Sequence, residues 1–127
     1  MEVDVWIIDD DLVSQFATRY TVERSSNIGV VSCYDCAEDA MEMLMKRMEN
    51  GVDTPLVILL DLVMPKMSGW EFLDQTEALS AGNPVNVYIL SAFSKAKDRD
   101  RAKNHTLIQG YFDKPLSRVS ADKIFNT

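Results

Sequence analysis

The stretch Leu56-Val57-Ile58-Leu59-Leu60-Asp61-Leu62-Val63-Met64-Pro65 decides the fold. Five consecutive apolar residues, two of them β-branched, follow Pro55 and run straight into a carboxylate. That pattern fits a strand buried on both faces of a parallel sheet. Such a strand delivers Asp61 to the carboxyl edge of the sheet, where open α/β sheets gather their ligands and chemistry. A lone Asp at a strand end also serves as an ordinary turn cap, so the rest of the chain has to decide between the two.

Upstream, Val3-Asp4-Val5-Trp6-Ile7-Ile8 is a short β-rich run that ends in Asp9-Asp10-Asp11, so a second strand also finishes in acid. The next segment has Val13, Phe16, Ala17 and Tyr20 at helical spacing, which predicts that they face the core while Ser14, Gln15, Arg19 and Glu23 face water. This helix is expected to stop near Ser25-Ser26-Asn27. Ile28-Gly29-Val30-Val31-Ser32-Cys33-Tyr34 reads as another strand. After it, Ala37, Ala40, Met41, Leu44, Met45 and Met48 form an apolar stripe along a helix closed by Asn50-Gly51. Beyond Pro65-Lys66-Met67-Ser68-Gly69, the residues Phe72, Leu73, Thr76 and Leu79 mark a third helical face, ended by Ala81-Gly82-Asn83-Pro84.

Val85-Asn86-Val87-Tyr88-Ile89-Leu90 is the fourth strand and leads into Ser91-Ala92, a hydroxyl where the others carry carboxylates. The segment 94–104 is dense in charge, with only Ala96 and Ala102 as small apolar contacts, which predicts a weakly anchored helix with an outer face open to a partner. Leu107-Ile108-Gln109-Gly110-Tyr111-Phe112 is the last strand and ends in Asp113-Lys114-Pro115. Residues 117–125 make a short final helix with Val119, Ala121, Ile124 and Phe125 partly inward. Strands that alternate with helical segments predict one three-layer α/β domain over residues 1–127, a doubly wound five-stranded parallel sheet with right-handed crossovers. Asp9, Asp10, Asp61, Ser91 and Lys114 then meet at one edge.

Composition narrows the function. A net charge of −7 disfavours direct binding to nucleic acid. The longest apolar runs are four or five residues, against the ~20 that cross a bilayer, and the acidic N-terminus lacks the basic region of a secretory signal, so a cytoplasmic protein away from the membrane is expected. Cys33 and Cys36 form a C-x-x-C; the expectation is that Cys33 packs as a small apolar residue and Cys36 starts a helix. The single histidine, His105, is expected at the surface.

Crowded carboxylates repel: at ~4 Å and an effective dielectric of ~20, each pair costs about 4 kcal/mol. A hard divalent ion with oxygen ligands relieves this best, which makes Mg²⁺ the natural candidate, and Lys114 adds a permanent positive charge. Together they keep Asp61 ionised and nucleophilic. A carboxylate nucleophile, Mg²⁺, a lysine and a hydroxyl donor are what phosphoryl transfer to an aspartate requires, and no general base is needed.

The ordered set is specific. Asp9-Asp10 after strand one, Asp61 followed by Met64-Pro65 and Gly69, Ser91-Ala92 after strand four and Lys114-Pro115 after strand five resemble the receiver domain of a two-component response regulator, over essentially the whole chain. The resemblance implies the flavodoxin-like strand order 2-1-3-4-5. It implies a histidine kinase or histidine phosphotransfer protein that supplies the phosphoryl group to Asp61, and a downstream protein target reached by contact. It further implies Mg²⁺ held by Asp10 and Asp61 with the Val63 backbone carbonyl, Asp9 helping partly through water. Ser91 and Tyr111 match the family's switch pair, which alters the face of the fourth helix, fifth strand and fifth helix. A cis Lys114–Pro115 bond is common in such domains. Val63 and Phe93 depart from the polar residues of fast-hydrolysing members, which implies a persistent phosphoryl aspartate. On this reading the chain is no enzyme toward a separate substrate; it catalyses only its own phosphorylation and dephosphorylation.

Two rivals compete. Asp9-Asp10-Asp11 also has the D-x-D spacing of an aspartate-nucleophile phosphatase of the haloacid dehalogenase type, with Asp9 as nucleophile and Asp11 as acid, though that leaves Asp61, Met64, Pro65 and Gly69 unexplained. A receiver-like interaction module that has lost phosphorylation is the other, and the intact set of site residues speaks against it.

Overall fold

A computed structural model describes residues 2–79, 85–92 and 95–126. Its organising strand is β3 (Leu56–Leu60), in which every residue is buried. It pairs with β1 (Val3–Ile8) on one side and β4 (Val85–Ser91) on the other, both parallel. β2 (Ile28–Tyr34) and β5 (Ile108–Asp113) complete a five-stranded sheet in the order β2-β1-β3-β4-β5. β3 is apolar throughout because it packs a layer of helices on either face.

Successive side chains of one strand point to opposite faces, and the two hydrophobic cores divide accordingly. Ile58 and Leu60 join residues of α2 (Ala37–Glu49) and α3 (Gly69–Leu79), while Val57 and Leu59 join residues of α1 (Leu12–Glu23) and α5 (Arg118–Phe125). The remaining helix, α4 (Ala96–Lys103), buries only Ala102 among its residues, as its charge density predicts. Gly51 adopts a left-handed φ of 65° just past α2, the conformation glycine favours there. The Lys114–Pro115 peptide is cis. Cys33 and Cys36 are both free; Cys33 packs against the α1/α5 core and Cys36 is the N-cap residue of α2. The expected end of α3 at Ala81-Gly82-Asn83-Pro84 lies outside the described residues.

The inward face of α1 differs from expectation. Its buried residues are Thr18 and Val22, with Ser14 and Gln15 half-buried, whereas Val13 is 80% exposed, Phe16 75% and Tyr20 55%. Polar anchors at the helix start set this phase. The Asp11 carboxylate accepts from the Val13 and Ser14 amides, and Gln15 Nε2 donates to the Asp9 carbonyl at 2.9 Å, which turns residues 15, 18 and 22 toward the sheet. At about 100° per residue, Leu12, Phe16 and Tyr20 then fall on the opposite, outer face.

Smaller corrections concern four further residues. Met45, Leu79 and Val119 are exposed at the margins of their helices. His105 is not a free surface residue: its imidazole is 12% exposed, wedged against Asp74 and Glu77 of α3 at 3.6 and 3.8 Å, and its Nδ1 accepts from the Leu107 amide.

Candidate functional site

Three residues separate β1 from α1, and eight separate β3 from the helix that follows it, so the acids at both strand ends are held by short tethers. Asp9 is fixed first. Its amide donates to the Tyr34 carbonyl of β2, its carbonyl accepts from Gln15, and its Oδ1 accepts from the Asp11 amide at 3.0 Å. The Asp61 amide continues the ladder by donating to the Ile8 carbonyl, which sets the Asp61 backbone beside the β1 end. The loop after Asp61 doubles back on it. Gly69 donates to the Leu62 carbonyl, and a Cβ at Gly69 would lie 2.7 Å from both the Asp61 carbonyl oxygen and Leu62 Cα, so only glycine permits that return.

On this frame the acids converge. Carboxylate oxygens of Asp9, Asp10 and Asp61 all lie within 4.8 Å of one another, with Asp9 and Asp61 buried and Asp10 exposed. Lys114 arrives from the end of β5, its amide donating to the Ser91 carbonyl at 2.8 Å. Its ammonium lies 2.7 Å from Asp9 Oδ2 and 3.0 Å from Asp61 Oδ2. Ser91, at the end of β4, is buried beside this edge. Asp61 Oδ1 accepts from the Val63 amide at 3.3 Å, and the Val63 side chain is 69% exposed. Phe93 lies outside the described residues.

The electrostatics follow from burial and one shared cation. Burial raises the Asp61 pKa and Asp9 adds to the rise, while the Lys114 hydrogen bond and charge and the Val63 amide offset part of it. For Lys114, burial acts to lower the pKa, but the hydrogen bonds and charges of Asp9 and Asp61 outweigh it and the net direction is up. The lysine therefore stays charged. Three carboxylates against one ammonium remain under-neutralised, and the surplus sits where oxygen atoms from three residues face one another, a donor set suited to a hard divalent cation.

All the acids expected at the sheet edge are thus brought together with Lys114 and Ser91, whereas Tyr111 lies further along β5, half-buried against the α2/α3 core. The sequence reading missed Gln15, which it assigned to water and which instead braces the acidic turn. It weighed Asp11 only as an acid, but Asp11 caps α1. That capping role speaks against the acid role that the phosphatase alternative gives Asp11.

The comparisons with known proteins agree with this geometry. The family model of the response regulator receiver domain matches residues 5–125. The chain belongs to that family, a family of signalling domains in two-component systems. It is 27% identical over 124 residues to the two-component response regulator ORR1 of Oryza sativa subsp. japonica, covering 96% of this chain and 53% of the rice protein. This chain therefore spans about half the length of that curated relative. A two-component response regulator from Cytophaga hutchinsonii superposes with a TM-score of 0.88 at 22% identity, over 99% of this chain and 96% of that one. One from Legionella pneumophila does so at 0.78 and 28% identity, over 97% and 95%. No described helix is long and apolar enough to cross a membrane.

Proposed function

We propose that residues 1–127 act as one phosphoacceptor domain in which Asp61 takes a phosphoryl group from a phosphohistidine. The observation that carries the reading is the sharing of one ammonium, Lys114 Nζ, between Asp9 and Asp61 within a cluster that still holds an excess of negative charge. An Asp61 carboxylate oxygen attacks phosphorus in line as the N–P bond of the donor breaks, and the imidazole leaves with the bonding pair. Asp9, Asp10, Asp61 and the Val63 carbonyl would hold Mg²⁺, which when bound would supply positive charge to the phosphoryl oxygens. Lys114 holds a further phosphoryl oxygen, and Ser91 donates its hydroxyl to another.

The donor is a kinase or phosphotransfer protein, and the outer face of α1 supports this. Leu12, Val13, Phe16 and Tyr20 present an exposed apolar stripe that begins next to Asp10 and Asp11. A groove of ≈ 300 Å³ runs beside it from Val13 and Ala17 to Lys114 and Pro115. An amphipathic helix carrying the phosphohistidine fits such a stripe, with its apolar side on α1 and its imidazole toward Asp61. Output passes to a protein target through the α4–β5–α5 face, with Ser91 and Tyr111 as the switch. Val63 offers no side-chain hydrogen bond to an attacking water, which favours a long-lived phosphoryl aspartate.

Incubation with acetyl phosphate and Mg²⁺, resolved on a phosphate-affinity gel, tests the reading. A retarded band that is lost in Asp61→Asn and in chelator is expected. No retarded band in the wild type leaves an interaction module that has lost phosphorylation.

A further inference from the structure

Helix α4 is fastened chiefly by arginines used as flat plates. The Arg101 guanidinium lies 4.1 Å from the centroid of the Trp70 ring on α3. The Arg99 guanidinium lies 4.5 Å from the centroid of the Tyr111 ring, and its Nη2 also donates to Asp113 Oδ1 at 3.0 Å. One side chain thus touches two residues of β5 that point to the same face. Asp113 is the residue immediately before Lys114 and stands in register with Ser91 on β4.

Tyr111 makes that contact matter. Its ring rests against the α2/α3 core, yet its hydroxyl is shielded from solvent and has no partner among the described residues. A phenol hydroxyl in that condition opposes its own burial, so the ring needs something to hold it in. Arg99 lies over the ring. A cavity of ≈ 480 Å³ between α4 and β5, lined by Arg99, Ala102, Ile108, Gly110 and Tyr111 among others, leaves room for the ring or the helix to shift.

We propose that Arg99 is a positioning residue that latches the half-buried Tyr111 ring in its inward position and ties that position to the Asp113–Lys114 end of β5. The proposal rests on the phosphoacceptor reading for its consequence. When Asp61 gains a phosphoryl group, Lys114 is drawn to the added charge, Asp113 moves with it through the chain, and Arg99 carries the movement to α4. Only a planar guanidinium can stack on the ring and donate from its edge at once; a lysine ammonium does one or the other.

The test compares wild type with Arg99→Ala, Arg99→Lys, Tyr111→Ala and the double variant Arg99→Ala/Tyr111→Ala. Two quantities are read: the rate of phosphorylation by acetyl phosphate with Mg²⁺, and the Tyr111 ring resonances by NMR without phosphorylation. Arg99→Ala is expected to slow phosphorylation about fivefold, equivalent to a contact of ~1 kcal/mol, and to shift the ring resonances toward solvent-exposed values. Arg99→Lys keeps the charge and is expected to recover little of either. In the Tyr111→Ala background the effect of Arg99→Ala on rate is expected to vanish, as a shared contact requires. Unchanged ring resonances in Arg99→Ala, full recovery by Arg99→Lys, or strictly additive effects in the double variant overturn the latch. A wild type that takes no phosphoryl group overturns the phosphoacceptor reading and the coupling to Lys114 with it; the ring resonances still decide whether Arg99 holds Tyr111.

Discussion

Strand β1 has an aspartate near each end, Asp4 as its second residue and Asp9 just after its last, and the two are solved differently. At its start, Asp4 Oδ2 pairs with Arg47 of α2 at 3.1 Å, its Oδ1 accepts from the Val30 amide, and Arg47 also donates to the Thr54 carbonyl. One acid meets one base and two backbone groups. At the other end, Asp9 shares a single lysine with Asp61 while Asp10 stands close by. The first is a closed structural pair; the second is left electrostatically incomplete, and the incompleteness is what a cation and a phosphoryl group can use. Burial alone does not separate the two kinds of site, because both ion pairs are largely shielded. The ratio of acid to base does.

The largest expected effects come from removing the base at either end. Arg47→Met leaves Asp4 without its cation and is expected to lower stability by about 3 kcal/mol in urea unfolding, with or without Mg²⁺. Lys114→Met is expected to lower it by a similar amount, about 3 kcal/mol in chelator, but Mg²⁺ should restore part of that loss because the bared acids bind it. An Arg47→Met deficit that Mg²⁺ repairs equally would erase the distinction between the ends. Next in size is the ion itself. At a hundredfold excess over its dissociation constant, Mg²⁺ should stabilise the wild type by about 2.7 kcal/mol, measured from the urea midpoint. Asp10→Asn should abolish most of this gain, and Asp4→Asn should leave it intact.

Smaller, and opposite in sign, is the effect of removing an acid. In chelator, Asp61→Asn is expected to raise stability by about 1 kcal/mol, whereas Asp4→Asn lowers it. The pH dependence follows from the same cause. Because the folded pKa of Asp61 is raised chiefly by burial, ionising it works against the folded state. Its favourable contribution is present below the unfolded pKa and is lost as pH rises through the folded one. The gap between wild type and Asp61→Asn should therefore close as the pH falls through that raised value; a gap that widens contradicts the assignment. Lys114, also raised, keeps its stabilising charge until the pH passes above the ordinary lysine range. The smallest effect concerns lifetime rather than stability. Val63→Asn should shorten the phosphoryl half-life several-fold in a decay assay, and equal or slower decay would refute the reading of that position.

The alternation of parallel strands with helices and the meeting of Asp9, Asp10, Asp61 and Lys114 were legible in the sequence because they depend on local patterns, while the strand order came from the resemblance to receiver domains. Buried parallel strands must be apolar, as Leu56–Leu60 are, and their ends fall on one edge by topology. The phase of α1 was not legible. Its apolar residues invited an inward reading, but the Asp11 cap and the Gln15 bond to Asp9 rotate the helix so that Val22 goes in and Phe16 comes out. Sequence periodicity reports an apolar face without reporting what covers it, and an exposed apolar face looks like a core face. His105 escaped for a second reason: its environment is made by Asp74 and Glu77, which are distant in sequence and adjacent only after α3 has packed.

The central claim is that the under-neutralised cluster makes Asp61, and no other acid, the phosphoryl acceptor. It is tested most directly by treating the protein with acetyl phosphate and Mg²⁺, reducing the acyl phosphate with borohydride and mapping the peptides by mass spectrometry. Homoserine at position 61 alone, absent when Mg²⁺ is chelated, is the expected result. Modification at Asp9 or Asp10 in its place, or an Asp61 that remains unmodified, would contradict it.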